Sequence, residues 1–216
     1  MSLPSLEAPL PAGLPADLPW EDPDQAPVPA LLRTVGAFLR RPGRSFRAMQ
    51  AEGVGPALSF GVITGTFGME GALYNQLLAA AAMGLPLLRW SDPATAHLLL
   101  LLFILLTPVL VLVGLVVGSL ALAVVLWPWR RPGLGAAFRV TGYAQAGMVA
   151  ALLPLVGSFL GLSLSLYLRV RGVQEIFGLS VGRASLAVLG ALILEAFLLV
   201  VGLMVLAAPL TLYFLL

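Results

Sequence analysis

The stretch PATAHLLLLLFILLTPVLVLVGLVVGSLALAVVLWPW, Pro93 to Trp129, contains no charged residue. About 20 apolar residues cross the ~30 Å hydrocarbon core of a bilayer as a helix, so a run this long reads as membrane-embedded. Val140 to Leu168 is also uncharged, and from Ala184 to Leu216 only Glu195 interrupts. A fourth, more polar run covers Ala57 to Leu88. Hydrophobic residues make up 60% of the 216 and charged residues 10%. Soluble domains carry roughly 25% charged residues, so one all-α membrane domain is the economical reading.

Composition also removes chemistry. The absence of cysteine excludes disulfides and thiolate sites, and one histidine cannot build an imidazole cluster. No cofactor or metal is expected. Ser158 and Ser163 have no plausible base, no aspartate lies in a span, and no phosphate-binding glycine loop is present, so enzyme activity is not expected. His97 reads as a solvated residue. All twelve basic residues are arginine, a bias that reads as a GC-rich bacterial genome.

Residues 1–29 contain eight prolines together with Glu7, Asp17, Glu21, Asp22 and Asp24. They lack the positive leader and apolar core of a secretory signal, and they predict an unstructured acidic tail in which Trp20 is a bystander rather than a docking motif. Residues 30–53 read as a cytoplasmic interfacial segment. From Ala30 to Arg41, Leu31, Leu32, Val35, Phe38 and Leu39 share a helical face opposite Arg33, Arg40 and Arg41, before Pro42 and Gly43 end the helix.

Residues 54–216 then form the membrane domain, with spans at about 57–80, 96–126, 136–153, 155–168 and 184–206. Pro108 is the expected kink of the second. The count rests on arginine placement. A hairpin at Pro154 and Gly157 puts eleven arginines, including Arg169, Arg171 and Arg183, on one side and leaves Arg89 opposite, as the positive-inside rule requires. The tail is then cytoplasmic and Leu216 lies outside.

Phe38-Leu-Arg-Arg-Pro42 followed by Phe46, Gly142-Tyr143 opening the third span, Leu153-Pro154-Leu155-Val156-Gly157 at the hairpin, and Arg171-Gly172-Val173 before the last span carry a resemblance. From about Leu31 to Leu206 the chain resembles the bacterial branch of the Yip family, relatives of the Ypt/Rab-interacting membrane proteins. The resemblance implies a non-enzymatic polytopic protein of membrane organisation or trafficking, with Gly142 and Tyr143 as the family motif. The chain departs from the family in reading Ala144-Gln145-Ala146-Gly147 where a proline often follows the Gly-Tyr pair, so no proline kink is expected there. The acidic Tyr-Gly-Pro signature of eukaryotic members is absent, and Rab binding is not carried over.

Glu70 and Glu195 are the acids within spans, about 13 and 11 residues from the starts of their helices. Similar depth on helices of like direction suggests an intramembrane polar site with Asn75, Gln76 or Thr107, sharing a proton or binding a cation. The competing account is two protonated acids hydrogen-bonded for packing. Arg40, Arg41, Arg44 and Arg47, with Arg130, Arg131 and Arg139, read either as an anionic-lipid clamp or as ordinary positive-inside anchoring. Gly61 and Gly65, Gly114 and Gly118, and Gly157 and Gly161 have helix-packing spacing, weak support for a homo-oligomer.

These residues describe a five-span bacterial inner-membrane protein, in contact with anionic lipid on its cytoplasmic side, acting as a scaffold or adaptor. The alternative is a small transporter or channel subunit using Glu70 and Glu195.

Overall fold

A computed structural model describes residues 18–49, 53–83, 93–131 and 133–215, and every regular element among them is helical. After a short 3₁₀ turn at Pro19–Glu21 come α1 (Pro27–Arg40), α2 (Pro42–Arg47), α3 (Gly55–Ala82), α4 (Pro93–Leu126) and α5 (Leu134–Ala144). A 3₁₀ stretch (Gln145–Leu152), α6 (Gly157–Phe177) and α7 (Val181–Leu215) complete the order.

Helix α1 begins three residues before the expected position, inside the tail read as unstructured, and Leu18 to Glu21 are folded as well. The prolines do not prevent this. Pro27 and Pro29 stand in the first turn, where the missing N–H would have had no helical partner. Pro42 ends α1 and opens α2 for the same two reasons. Ala30, Thr34 and Phe38, spaced by one helical turn, form the buried face.

A row of glycines on α3 sets the packing of the bundle. A side chain at Gly61 would strike the Gly142 backbone and Leu115, one at Gly65 would strike Val111, and those at Gly68 and Gly71 would strike Met148 and Leu152. Such close approach lets helices gain contact along their backbones. The order of these contacts gives direction: α3 and α5 run parallel, and α4 opposes α3. Gly157 and Gly161 meet Ala151 while Gly172 meets Val140, so α6 opposes α5. Gly118 meets Glu195 and Gly190 meets Val125, so α7 opposes α4. The glycine pairs at 61 and 65 and at 157 and 161 are therefore consumed within the chain.

Helix α5 changes to 3₁₀ at Gln145, directly after Gly-Tyr-Ala, without a proline. Within this stretch Gly147 lies against the Leu164–Ser165 backbone, with no room for a side chain. At about 2.0 Å per 3₁₀ residue the combined α5 and 3₁₀ segment is about 32 Å long, against about 29 Å for an α-helix of equal length. Asn75 caps its far end, donating to the Ala151 and Leu153 carbonyls at 2.7 and 2.8 Å.

The expected hairpin follows, and α6 runs past Leu168 to Phe177, where Gly178 caps it in the left-handed conformation at φ 63°. Pro108 lies inside α4, which continues through it. Helix α4 over His97–Leu126 and α7 over Val181–Val205 are long and apolar enough to cross a membrane, and only 11% of the apolar window of each is buried in the protein. A core helix of a soluble protein would be mostly buried.

Leu155, at the hairpin tip, adopts φ 66° beside a Val156 N–H to Pro154 carbonyl bond of 2.8 Å, and it is 87% exposed. Left-handed backbone costs a leucine about 1–2 kcal/mol that glycine does not lose. Leu155→Gly is expected to raise stability by about 1 kcal/mol, read as an increased thermal midpoint in detergent. A lowered midpoint would show that the leucine side chain contributes more than its backbone costs.

Candidate functional site: an aromatic box and a buried ion pair

Gly142 is where the first site begins. Its Cα side faces the Ala57 carbonyl so closely that a Cβ would overlap it, and α5 thereby settles on the first turn of α3. Tyr143 then points into the junction and is fully buried. Its ring stacks on Phe38 of α1 at 5.1 Å and 15°, and lies 5.1 Å from Phe60 of α3. Phe46 of α2 packs edge-on to Phe38 at 4.9 Å. The same Phe46 ring would lie 2.9 Å from a Cβ at Gly172, so glycine there makes its seat. Motif residues distant in sequence thus form one aromatic box joining α1 and α2 to α3, α5 and α6.

The box is closed by the segment before α1. Trp20 donates its indole N–H to the Pro56 carbonyl at 2.9 Å and its backbone N–H to the Thr34 hydroxyl at 3.0 Å. The Tyr143 hydroxyl donates to the Glu21 carboxylate at 2.6 Å, and Trp20 meets Phe60 edge-on at 6.1 Å. Reading Trp20 as a bystander is therefore corrected. Its indole N–H and flat ring find both an acceptor and an aromatic edge, a combination that a proline-rich context in sequence does not reveal.

Glu195 is the centre of the second site. Its carboxylate accepts from Arg169 at 2.9 Å, with the two side chains 14% and 10% exposed. Gly118 gives the carboxylate its space, since a Cβ there would lie 2.8 Å from it. Beside the pair, the buried Ser119 and Thr141 hydroxyls bond to each other and tie α4 to α5. The crevice lined by Gly118, Leu122, Thr141, Arg169, Val188 and Ala191 has no room for a water molecule.

The other residues singled out in the spans lie apart from this pair. Thr107 donates to the Phe103 carbonyl of its own helix at 2.8 Å, Asn75 caps the end of the 3₁₀ stretch, Gln76 is exposed, and Glu70 is partly buried on α3. Gly118 lies past Leu115 on α4, so Glu195 is level with the first turn of α3, whereas Glu70 stands nine residues beyond Gly61. That offset is about 13 Å or more along the bundle axis. Counting residues from helix starts suggested equal depth because it took the helices to begin in one plane. They do not: Glu195 lies well along α7 at the level where α3 is only beginning.

Among the arginines, Arg40, Arg41, Arg44, Arg130 and Arg131 are exposed. Arg47 pairs with Glu175, which also accepts from Arg171 at 3.4 Å, clamping α2 to α6. Arg139 is partly buried and reaches the Gly53 carbonyl at 3.5 Å. Arg131 stands 5.7 Å from the Trp127 ring. Glu21, Thr34, Glu175 and the role of Arg169 had no signature of their own. One clue was available for Arg169: residues two apart on a helix diverge by about 200°, so Arg169 and Arg171 cannot both face outward.

Comparison of the chain with protein-family models, with curated proteins and with solved structures found no match. Among the described residues every regular element is helical, and two helices are long and apolar enough to cross a membrane.

Removing one partner of a buried ion pair leaves an uncompensated charge at a cost of about 3–5 kcal/mol, while replacing both with apolar groups is often neutral. Glu195→Ala is expected to destabilise by about 3 kcal/mol, and the double variant Arg169→Met, Glu195→Leu to recover most of it. Thermal unfolding of the four-variant cycle measures this, and a double variant no better than the single would show that the pair is not coupled.

Proposed function

We propose that this chain is a five-span, Yip-like protein of a bacterial inner membrane, with a cytoplasmic N-terminus, acting as a non-enzymatic scaffold or adaptor. The observation that carries the proposal is the aromatic box: it fixes the basic segment α1–α2 to one end of the helical bundle, so the segment is a rigid platform. Phe38, Phe46, Gly142, Tyr143 and Gly172, the residues that carry the Yip resemblance, all take part in it. Supporting five passes are the alternating directions of α3, α4, the α5–3₁₀ segment, α6 and α7. The length of the α5–3₁₀ segment, about 32 Å, matches the ~30 Å hydrocarbon core.

On the platform, Arg33, Arg40, Arg41 and Arg44 are exposed, a surface suited to anionic headgroups. The alternative of proton or cation transport has less in its favour. Glu195 is neutralised by Arg169, the crevice beside it admits no water, and Glu70 is at another level.

The chain has no cysteine, so single cysteines can be placed without background. Arg44→Cys, Arg131→Cys and Ser180→Cys should react with an impermeant thiol reagent only after the membrane is opened, and Ser91→Cys and Leu155→Cys without opening. Ser180→Cys labelled from the same side as Leu155→Cys would remove the five-span reading. A photo-crosslinker on Arg44→Cys should then capture protein as well as lipid in native membranes. Lipid alone would overturn the adaptor reading while leaving the topology intact.

A further inference from the structure

Segment Leu18–Glu21 is held differently from the rest of the molecule. Leu18 is buried, but Trp20 is only partly covered, and the segment is a single 3₁₀ turn with no side-chain cap. Its anchors lie on three separate helices: Thr34 on α1, the Pro56 carbonyl and Ser59 hydroxyl on α3, and the Tyr143 hydroxyl on α5. Each is a directional bond to one named group of the segment. This is how a peptide is recognised, by a few placed polar contacts around an aromatic anchor.

The groups that receive it are organised without it. Tyr143 is stacked on Phe38 and packed on Phe60, and Thr34 is buried on the inner face of α1. Behind the segment the chain turns at Asp22, whose own carboxylate accepts from the Asp24 backbone N–H and the Gln25 amide, both at 3.0 Å. Helix α1 starts only at Pro27, so Leu18–Glu21 can swing about this turn without unwinding it. Once it leaves, a buried phenol lacks its acceptor, a buried threonine its N–H donor, and the Phe60 edge its indole. The opened cleft then presents the Tyr143 donor, the Thr34 hydroxyl, the Pro56 carbonyl and the Phe60 edge in fixed positions, a pattern that a segment of the same chemistry fills.

We infer that Leu18–Glu21 is a displaceable intramolecular ligand, and that the cleft it fills between α1, α3 and α5 is the docking site for a partner protein's short segment that forms the same single turn and carries a tryptophan followed by a carboxylate. This rests on the adaptor reading and gives it a place and a chemistry: the chain's own tail competes with the partner for one cleft.

The probe is a labelled peptide of residues 16–25 of this chain, Ala-Asp-Leu-Pro-Trp-Glu-Asp-Pro-Asp-Gln, titrated onto the full-length protein in nanodiscs. With Trp20→Ala and Glu21→Ala weakening the internal copy, the peptide should bind at least about ten-fold more tightly than to wild type, the factor that follows from competition for one site. Adding Tyr143→Phe, which keeps the ring and removes the donor, should lose most of that binding. Equal affinity for wild type and variant, no binding to either, or indifference to Tyr143→Phe overturns the inference. Should the double variant not fold, a spin label at Pro19→Cys, within the segment, on otherwise wild-type protein should gain mobility as peptide is added, and unchanged mobility overturns it too. Wild-type protein that self-associates by exchanging these segments would likewise overturn it. Capture of a partner from the Arg44 face with no peptide binding in the cleft would leave the adaptor reading standing and remove only this inference.

Discussion

Between α3 and α5 the backbone of Gly142 lies against the Ala57 carbonyl, closer than any side chain at that position permits. This approach aims the next residue, Tyr143, at Phe38 and so decides where α1 sits. It also keeps α5 in the glycine row of α3, where the 3₁₀ stretch continues the contact through Met148 and Leu152. Backbones packed this closely gain dispersion contact along their whole length.

The two sites complement one another. One core surrounds the box, with Phe38, Phe60, Tyr143 and Leu168, and the other joins α4, α6 and α7 around Leu122, Val173 and Val188. Arg169 follows directly after Leu168, so one turn of α6 serves both: Leu168 enters the first core and Arg169 reaches Glu195.

Helices and their order were legible from the charge-free runs and from turn residues such as Pro42 and Pro154, since backbone preference and hydropathy are local properties. The 3₁₀ stretch was not, and it coincides with a tertiary contact, Gly147 against the Leu164–Ser165 backbone, that local preference does not register. Gly142 and Tyr143 could be singled out by resemblance, but their partners Phe38 and Phe60 are known only once α1 is docked. Arg169 was read only as one of the arginines that would orient the chain, and the structure makes it the counter-charge of Glu195. A charge tally weighs every arginine alike, while burial distinguishes them. The prolines before α1 misled in the opposite sense, since a residue that prevents a long helix still allows one docked turn.

The anchoring of Leu18–Glu21 also has a mechanical side. Force applied to the chain ahead of Leu18 is shared among the middle of α1, the first turn of α3 and the end of α5, through Thr34, Pro56 and Tyr143. These bonds load side by side and belong to different helices, so a pull on the tail passes into three helices at once and not into α1 alone.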